Sequence, residues 1–552
     1  MKIKILCRQN SLIGGIFKFL PFPIQTMKIV LFCFCAFLSI VQPLGAQSFQ
    51  PKREWRAAWI ATINNNEFPS AKNLTTAQQQ AEFLQILEAH KQNNFNALMV
   101  QVRPAADAFY YSLREPWSEY LTGRQGQMPD PFYDPLQFML EATHEKGLEF
   151  HAWFNPFRAV FNKNKSQLAP THLTLLRPEW FLDYGEQLIF NPALPEVREY
   201  VTDIIVEVAL RYDIDGVHLD DYFYPYPKKE ALLNDSSSYL QYGAGKELAQ
   251  WRRENINLFI ELLHKKIKKH KPYLKIGVSP CAVWRNQEKD PKGSPTKAGI
   301  TAYDDLYADV RLWLEKGWLD YVAPQIYFST RHKTVPFFPT LQWWSENAFG
   351  RHIYAGHAVY KVGNDKDSTW FEAAEMPRQI ALVRSLYETK GEVCAGSAFY
   401  NSKVLRQNPA ALCDSLRQTL YQFPALPPAM TWLDAFAPPM PTQFSVQGSE
   451  KGAILTWQQP DLAQATEKTA YFLLYRFKAE EAIDLNRMDR VLARIEGKSR
   501  SFIDTEIRPK ESFVYVLTAL DRLHNESVPT QALLFKMKKR YLRPQTVIHF
   551  GF

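Results

Sequence analysis

Gly216-Val-His-Leu-Asp220-Asp221-Tyr222 is the stretch on which the fold turns. A short apolar run that ends on two carboxylates and an aromatic reads as a buried strand carrying polar groups to its carboxyl end. Seven further runs of this kind lie on either side of it, at 55–63, 97–103, 149–155, 275–280, 321–327, 353–360 and 393–400. Amphipathic stretches separate them. Residues 76–93 place Phe83, Leu84, Leu87 and His90 on one helical face, and 196–212 and 251–270 are similar. Strands alternating with helices imply a parallel sheet, and eight such units imply a closed (β/α)8 barrel over residues 52–423.

The pattern changes after the barrel. Six prolines between 424 and 441 disfavour helix and read as a linker. Residues 442–540 then carry short strands separated by turns, as in a small immunoglobulin-like β-sandwich. The order Trp457, Tyr471-Phe-Leu-Leu-Tyr-Arg-Phe477, Tyr515-Val-Leu-Thr-Ala519 and Asn525-Glu-Ser527 resembles a fibronectin type III domain.

Lys28, the apolar run Ile29–Val41 and the small-residue site at Leu44-Gly-Ala46 have the three parts of an export signal. Residues 1–46 are thus expected to be removed, with Met27 an alternative start. The run is too short to span a bilayer comfortably, and no Cys follows the cleavage site to take a lipid anchor. The mature chain is expected in the periplasm or outside the cell, with no membrane-spanning helix. Residues 1–46 hold five basic and no acidic residues, so the charge of +8 falls to +3, and nothing in that balance asks for nucleic acid. Cys281, Cys394 and Cys413 remain, an odd and sparse set that argues against a disulfide framework. Cys281 and Cys394 lie in apolar runs and are expected to pack in the core.

A barrel of this kind works at the carboxyl ends of its strands. Those ends carry Glu67, Arg103 with Asp107, Asn155 followed by Arg158, Asp220-Asp221-Tyr222, Trp284, Gln325 with Tyr327, and Tyr400. Carboxylates, amides and aromatics at one mouth suit polysaccharide cleavage, in which paired carboxyls serve as acid, base or nucleophile. Strand alternation from an inward His218 makes Asp220 the inward carboxylate. Asp220 is then nucleophile or general base, with Asp221, Asp107 or Glu67 as its partner acid. Arg103, Asn155, His218, Tyr222, Trp284, Gln325, Tyr327 and Glu67 are the expected substrate-binding residues. His151, His218 and His357 show no metal-ligand spacing, so neither metal nor cofactor is expected. Asp304 and Asp305 read as charges at the start of the helix holding Asp309 and Trp313.

Several motifs resemble the glycosyl-hydrolase-like family 10, in family order. They are Glu54-Trp-Arg-Ala-Ala-Trp-Ile-Ala61, Val100-Gln-Val-Arg-Pro104, Ala152-Trp-Phe-Asn-Pro156, Gly216 to Pro225, Val278-Ser-Pro280 with Trp284-Arg-Asn286, and Trp318 to Tyr327. The resemblance implies a glycosidase-type barrel, exported, acting on bacterial cell-wall glycan, with Asp220 and Asp221 as the motif acids. Two other readings stay open. One is a non-catalytic glycan-binding barrel, the other a metal-dependent polysaccharide deacetylase. Oligomeric state is not legible.

Overall fold

The computed structural model describes residues 50–243, 245–460 and 468–537, and the backbone of 548–550. The expected export signal lies outside the described residues. Eight strands close a parallel barrel: β1 Trp55–Ile60, β2 Ala97–Arg103, β3 Glu149–Phe154, β4 Gly216–Leu219, β5 Lys275–Val278, β6 Tyr321–Val322, β7 His352–Ala358 and β8 Cys394–Tyr400. Each neighbours the next in chain order, and β8 returns to β1.

Alternation along β1 shows how the barrel is filled. Ala58 and Ile60 pack outward against the helices, while Trp55, Ala57 and Trp59 point into the lumen with Met99, Trp153 and Tyr321. Two glycines make that lumen possible. A Cβ on Gly216 would lie 2.4 Å from the His151 ring, and one on Gly277 would lie 2.0 Å from the Tyr321 ring. Large polar rings therefore fill space that these two strands leave empty.

The helix at Thr76–Gln92 starts with a reciprocal cap between Thr75 and Gln78. It buries Phe83, Ile86, Leu87 and His90, whereas Leu84, expected inward, is 44% exposed. The β6 ladder stops at Val322, short of the expected 327, because Pro324 has no N–H to continue it. Only isolated bridges, Cys281 to Gln325 and Gln325 to Gly356, carry the pairing further. The helix after β5 is Val310–Glu315 and Asp309 is its cap. Asp304 and Asp305 lie in the preceding turn, where Asp305 accepts from the Thr301 N–H and Asp304 pairs with Arg285. An unanticipated antiparallel sheet of Arg158–Val160, Phe181–Tyr184 and Gln187–Phe190 is inserted after β3.

Among the described residues the C-terminal region forms two antiparallel sheets. Strands β9 Thr442–Ser449, β10 Gly452–Gln458, β11 Tyr471–Lys478, β12 Val491–Glu496, β13 Ser501–Asp504, β14 Ser512–Leu520, β15 Ala532–Lys536 and β16 Ile548–Phe550 are ordered β9-β10-β13 and β12-β11-β14-β15-β16. Val446, Leu455 and Trp457 of one sheet pack on Phe472, Leu517 and Phe535 of the other. This sandwich docks at the amino ends of the barrel strands, opposite the mouth. Arg522 pairs with Asp213, and His524 Nε2 lies 2.7 Å from Glu149 Oε1. The Pro-rich stretch is packed between the two parts. Leu426 exchanges backbone bonds with Lys52 and Glu54, and the Trp432 indole donates to Asp320.

Candidate active site

Asp220 and Asp221 follow β4 directly and are 4% and 3% exposed. A relay of amides from neighbouring strands orients Asp220. The Thr62 and Ile63 N–H groups donate to Gln101 Oε1 at 2.9 and 2.8 Å, which turns the Gln101 amino group toward Asn155 Oδ1. Asn155 Nδ2 then donates to Asp220 Oδ2, and the Tyr222 N–H reaches Asp220 Oδ1 at 3.3 Å. Asp221 has separate partners. It accepts from the Tyr226 hydroxyl and from Gln325, whose amide also donates to the Ser279 carbonyl at 2.8 Å.

Burial pushes the Asp220 carboxyl up to about 7, and the charge of Asp221 adds to the rise. Arg158, the Tyr222 N–H and the Trp153 indole oppose it. Burial also raises Asp221, against the Tyr226 and Gln325 hydrogen bonds. Two adjacent buried carboxyls do not both ionise readily, so near neutral pH the pair holds a proton available for transfer.

Arg158 comes to the pair on the inserted sheet. Its guanidinium stacks 4.8 Å over the Tyr222 ring, and Nη1 donates to the Pro104 carbonyl at 3.3 Å. The same sheet braces the loop after β4, since the Tyr184 hydroxyl donates to the Tyr226 carbonyl at 2.9 Å. Tyr222 is 41% exposed. Tyr327, Tyr360 and Tyr400 cluster with ring centroids 6.0 Å apart, giving the mouth an aromatic wall on which a sugar ring can stack.

The structure thus brings together Asp220, Asp221, Asn155, Tyr222, Gln325 and Tyr327. Asn155 is fully buried and serves Asp220 rather than a substrate hydroxyl. His218 is also fully buried and lies beneath the site, against Tyr321, Ser279 and Trp59. Four other expected site residues are engaged elsewhere. Arg103 is fully buried in a two-armed pair with Glu115 and donates to the Asn155 carbonyl, so it holds the backbone under the site. Asp107 accepts from the Ala105 N–H and Gln125 within its own loop. Burial raises it to about 7, and the charges that add to this are Glu115 and Glu119 rather than Asp220. Glu67 ties the loop after β1 to the segment after β8, accepting from the Ala61 and Lys403 N–H groups. Trp284 is buried, stacked 5.7 Å from Trp343, with its N–H on Asp309.

Sequence reasoning left Arg158 without a role and did not consider Tyr226 or Gln101. The signal for Arg158 and Tyr226 was their place within five residues of a strand-end motif. Gln101 sits inside an apolar run and had none. Cys281, expected in the core, is only partly buried at the mouth, while Cys394 and Cys413 are buried thiols. Among the described residues no three His, Cys, Asp or Glu side chains converge as metal ligands would. No described helix is long and apolar enough to cross a membrane.

A closed parallel barrel with paired carboxyls in an aromatic mouth places the chain among the glycan-acting, hydrolase-like barrels. It belongs to the glycosyl hydrolase-like 10 family, whose model matches residues 54–372. Glycosyl hydrolase YngK of Bacillus subtilis (strain 168) is 42% identical over 483 residues, covering 87% of this chain and 92% of that protein. Glycosyl hydrolase DigH of Escherichia coli (strain K12) is 34% identical over 385 residues, covering 65% and 86%. Among solved structures, the PgaB (BpsB) glycoside hydrolase domain from Bordetella bronchiseptica aligns with a TM-score of 0.42 at 13% identity, over 67% of this chain and 99% of that one.

Proposed function

We propose that this chain is an exported glycoside hydrolase acting on the glycan of the bacterial cell wall. The observation that carries this reading is the buried Asp220-Asp221 pair at the mouth, one carboxyl oriented by an amide relay and the other by a phenol. Asp220, the carboxyl that the amide relay orients, is assigned as nucleophile or general base, and Asp221, held by the Tyr226 hydroxyl, as its partner acid. Export rests on the charged, apolar and small-residue parts of 28–46. The choice of cell-wall glycan rests on the family resemblance of the motifs. A fibronectin type III-like identity for the sandwich rests on the order of its aromatic motifs.

The test is incubation of the purified chain with peptidoglycan and, separately, with α- and β-glucans, followed by mass analysis of the products. Cleavage of a glycosidic bond in peptidoglycan, lost in both Asp220→Asn and Asp221→Asn, is the expected result. Release of acetate without chain cleavage would replace this reading with the deacetylase. Tight binding with no product would replace it with the glycan-binding barrel.

A further inference from the structure

A cavity of about 370 Å³ opens beside Asp221, between the segments that follow β5 and β6. Its Asp221 side is formed by Tyr226 and Gln325, the two donors to that carboxyl. Its walls away from Asp221 include Ala282, Val283, Ala298 and Val335, which offer a ligand methyl and methylene surface. Ala282, Val283 and Val335 form a small apolar cluster of their own, with Ala298 packed against it. Lys297 stands exposed at the rim.

Three sugar substituents could face these walls, and the walls distinguish them. A hydroxyl would leave the apolar surface unfilled and strip its own water without return. An ammonium would lose still more hydration there, with Lys297 as a like charge nearby. An amide with a short acyl chain matches both ends, with its polar atoms toward Gln325 and Tyr226 and its methyl group on the alanine and valine surface. The volume admits the substituent together with the edge of the ring that bears it. Resting on the hydrolase reading above, we propose that this cavity seats the N-acyl group of an amino sugar and makes the site selective for N-acetylated glycan.

Ala298 is only partly buried, so Ala298→Phe fills the cavity from its rim without opening the core. Ala298→Val fills less of the space and gives an intermediate step. The full chain is assayed on N-acetylated cell-wall glycan strands and on the same strands after chemical N-deacetylation. Binding of tetra-N-acetylchitotetraose and of the glucosamine tetramer is measured by calorimetry. The expected result is a preference of about tenfold or more for N-acetylated strands, the size a filled apolar pocket gives. Ala298→Phe should erase most of that preference through a raised KM, and Ala298→Val should erase a smaller part of it. Equal cleavage of both substrates, or an equal slowing of both by Ala298→Phe, overturns the acyl seat and leaves the hydrolase reading standing. If neither is cleaved but the N-acetylated tetramer binds and Ala298→Phe abolishes binding, the seat stands and hydrolysis falls. Neither cleavage nor binding overturns both.

Discussion

His524 Nε2, on the sandwich, lies 2.7 Å from Glu149 Oε1, inside the foot of the barrel. Glu149 also takes hydrogen bonds from the Trp55 indole at 3.2 Å, from His151 Nε2 at 3.0 Å and from the Lys275 ammonium. From there a chain of polar groups climbs the lumen. His151 Nδ1 lies 2.8 Å from the Tyr321 hydroxyl, and that hydroxyl lies 3.0 Å from His218 Nδ1. An indole N–H can only donate, so Trp59 fixes His218 Nε2, at 3.1 Å, as an acceptor. His218, held neutral by burial, therefore carries its proton on Nδ1 and donates to Tyr321. Tyr321 in turn donates to His151, whose other nitrogen donates to Glu149. The hydrogens all point down the axis toward one carboxylate, and the sandwich supplies its last donor.

That arrangement makes the sandwich part of the barrel's foundation. His524→Ala is expected to destabilise the whole unit by about 1–3 kcal/mol, the cost of leaving a buried acceptor short of a donor. Lys275→Met should cost about 3–5 kcal/mol, because it leaves the buried carboxylate without its countercharge. Urea unfolding followed by tryptophan fluorescence checks both. A barrel transition that does not move in His524→Ala would show that the contact is ornamental.

Another buried histidine gives stability a pH dependence of predictable sign. Burial lowers His90 to about 3, and its Nε2 lies 2.7 Å from the Ser402 hydroxyl. The unfolded value is about 6.5, so protons bind the unfolded chain first and the wild type loses stability as pH falls from about 6.5 toward 3. His90→Gln removes that titration. The variant should be less stable by about 1 kcal/mol at pH 7.5, having lost packing and a hydrogen bond. At pH 5 the wild type should have lost about 2 kcal/mol that the variant keeps, so the order reverses and the variant becomes the more stable by about 1 kcal/mol. Parallel denaturation midpoints at the two pH values would contradict this.

The barrel was legible because its strands are nearly continuous apolar runs, and the mouth because polar residues end those runs. Periodicity could not show which mouth residue would be taken by a neighbour. Arg103 found Glu115, twelve residues away across a loop, and Trp284 found Trp343, on the helix that follows β6. Gly216 was legible as a strand residue but not as the space His151 needs, because that clearance exists only once β3 lies beside β4. Arg158 was passed over because the small sheet that carries it has strands of three and four residues, too short for a clear alternation.

Asn155 tests the amide relay. Its N–H favours the ionised form of Asp220, so Asn155→Ala should raise that carboxyl further. Where Asp220 acts as the base, the acid limb of the kcat/KM profile should move up by about one pH unit, with about a tenfold loss at pH 6. The Gln101 amide left unpaired should cost about 1–3 kcal/mol of stability as well, so the moved limb rather than the rate alone is the readout. A lower rate with an unmoved limb would mean that Asn155 contacts substrate instead.

Asp220 itself should show a conflict between activity and stability. A carboxyl raised to about 7 by burial favours the folded chain while it is protonated. As pH climbs from about 4, the unfolded chain ionises first and binds fewer protons than the native one, so stability falls until pH passes 7. Asp220→Asn removes this loss, and its amide oxygen can still accept from Asn155. The variant should cleave no glycan, yet exceed the wild type in stability by about 2–4 kcal/mol at pH 8. At pH 4, where the native carboxyl is already neutral, the two should nearly coincide. Thermal unfolding at both pH values decides the matter. A variant less stable at pH 8 would mean that the native carboxylate is held by its partners more strongly than burial disfavours it. Asp220 would then serve to organise the mouth, and the reacting carboxyl would have to be Asp221.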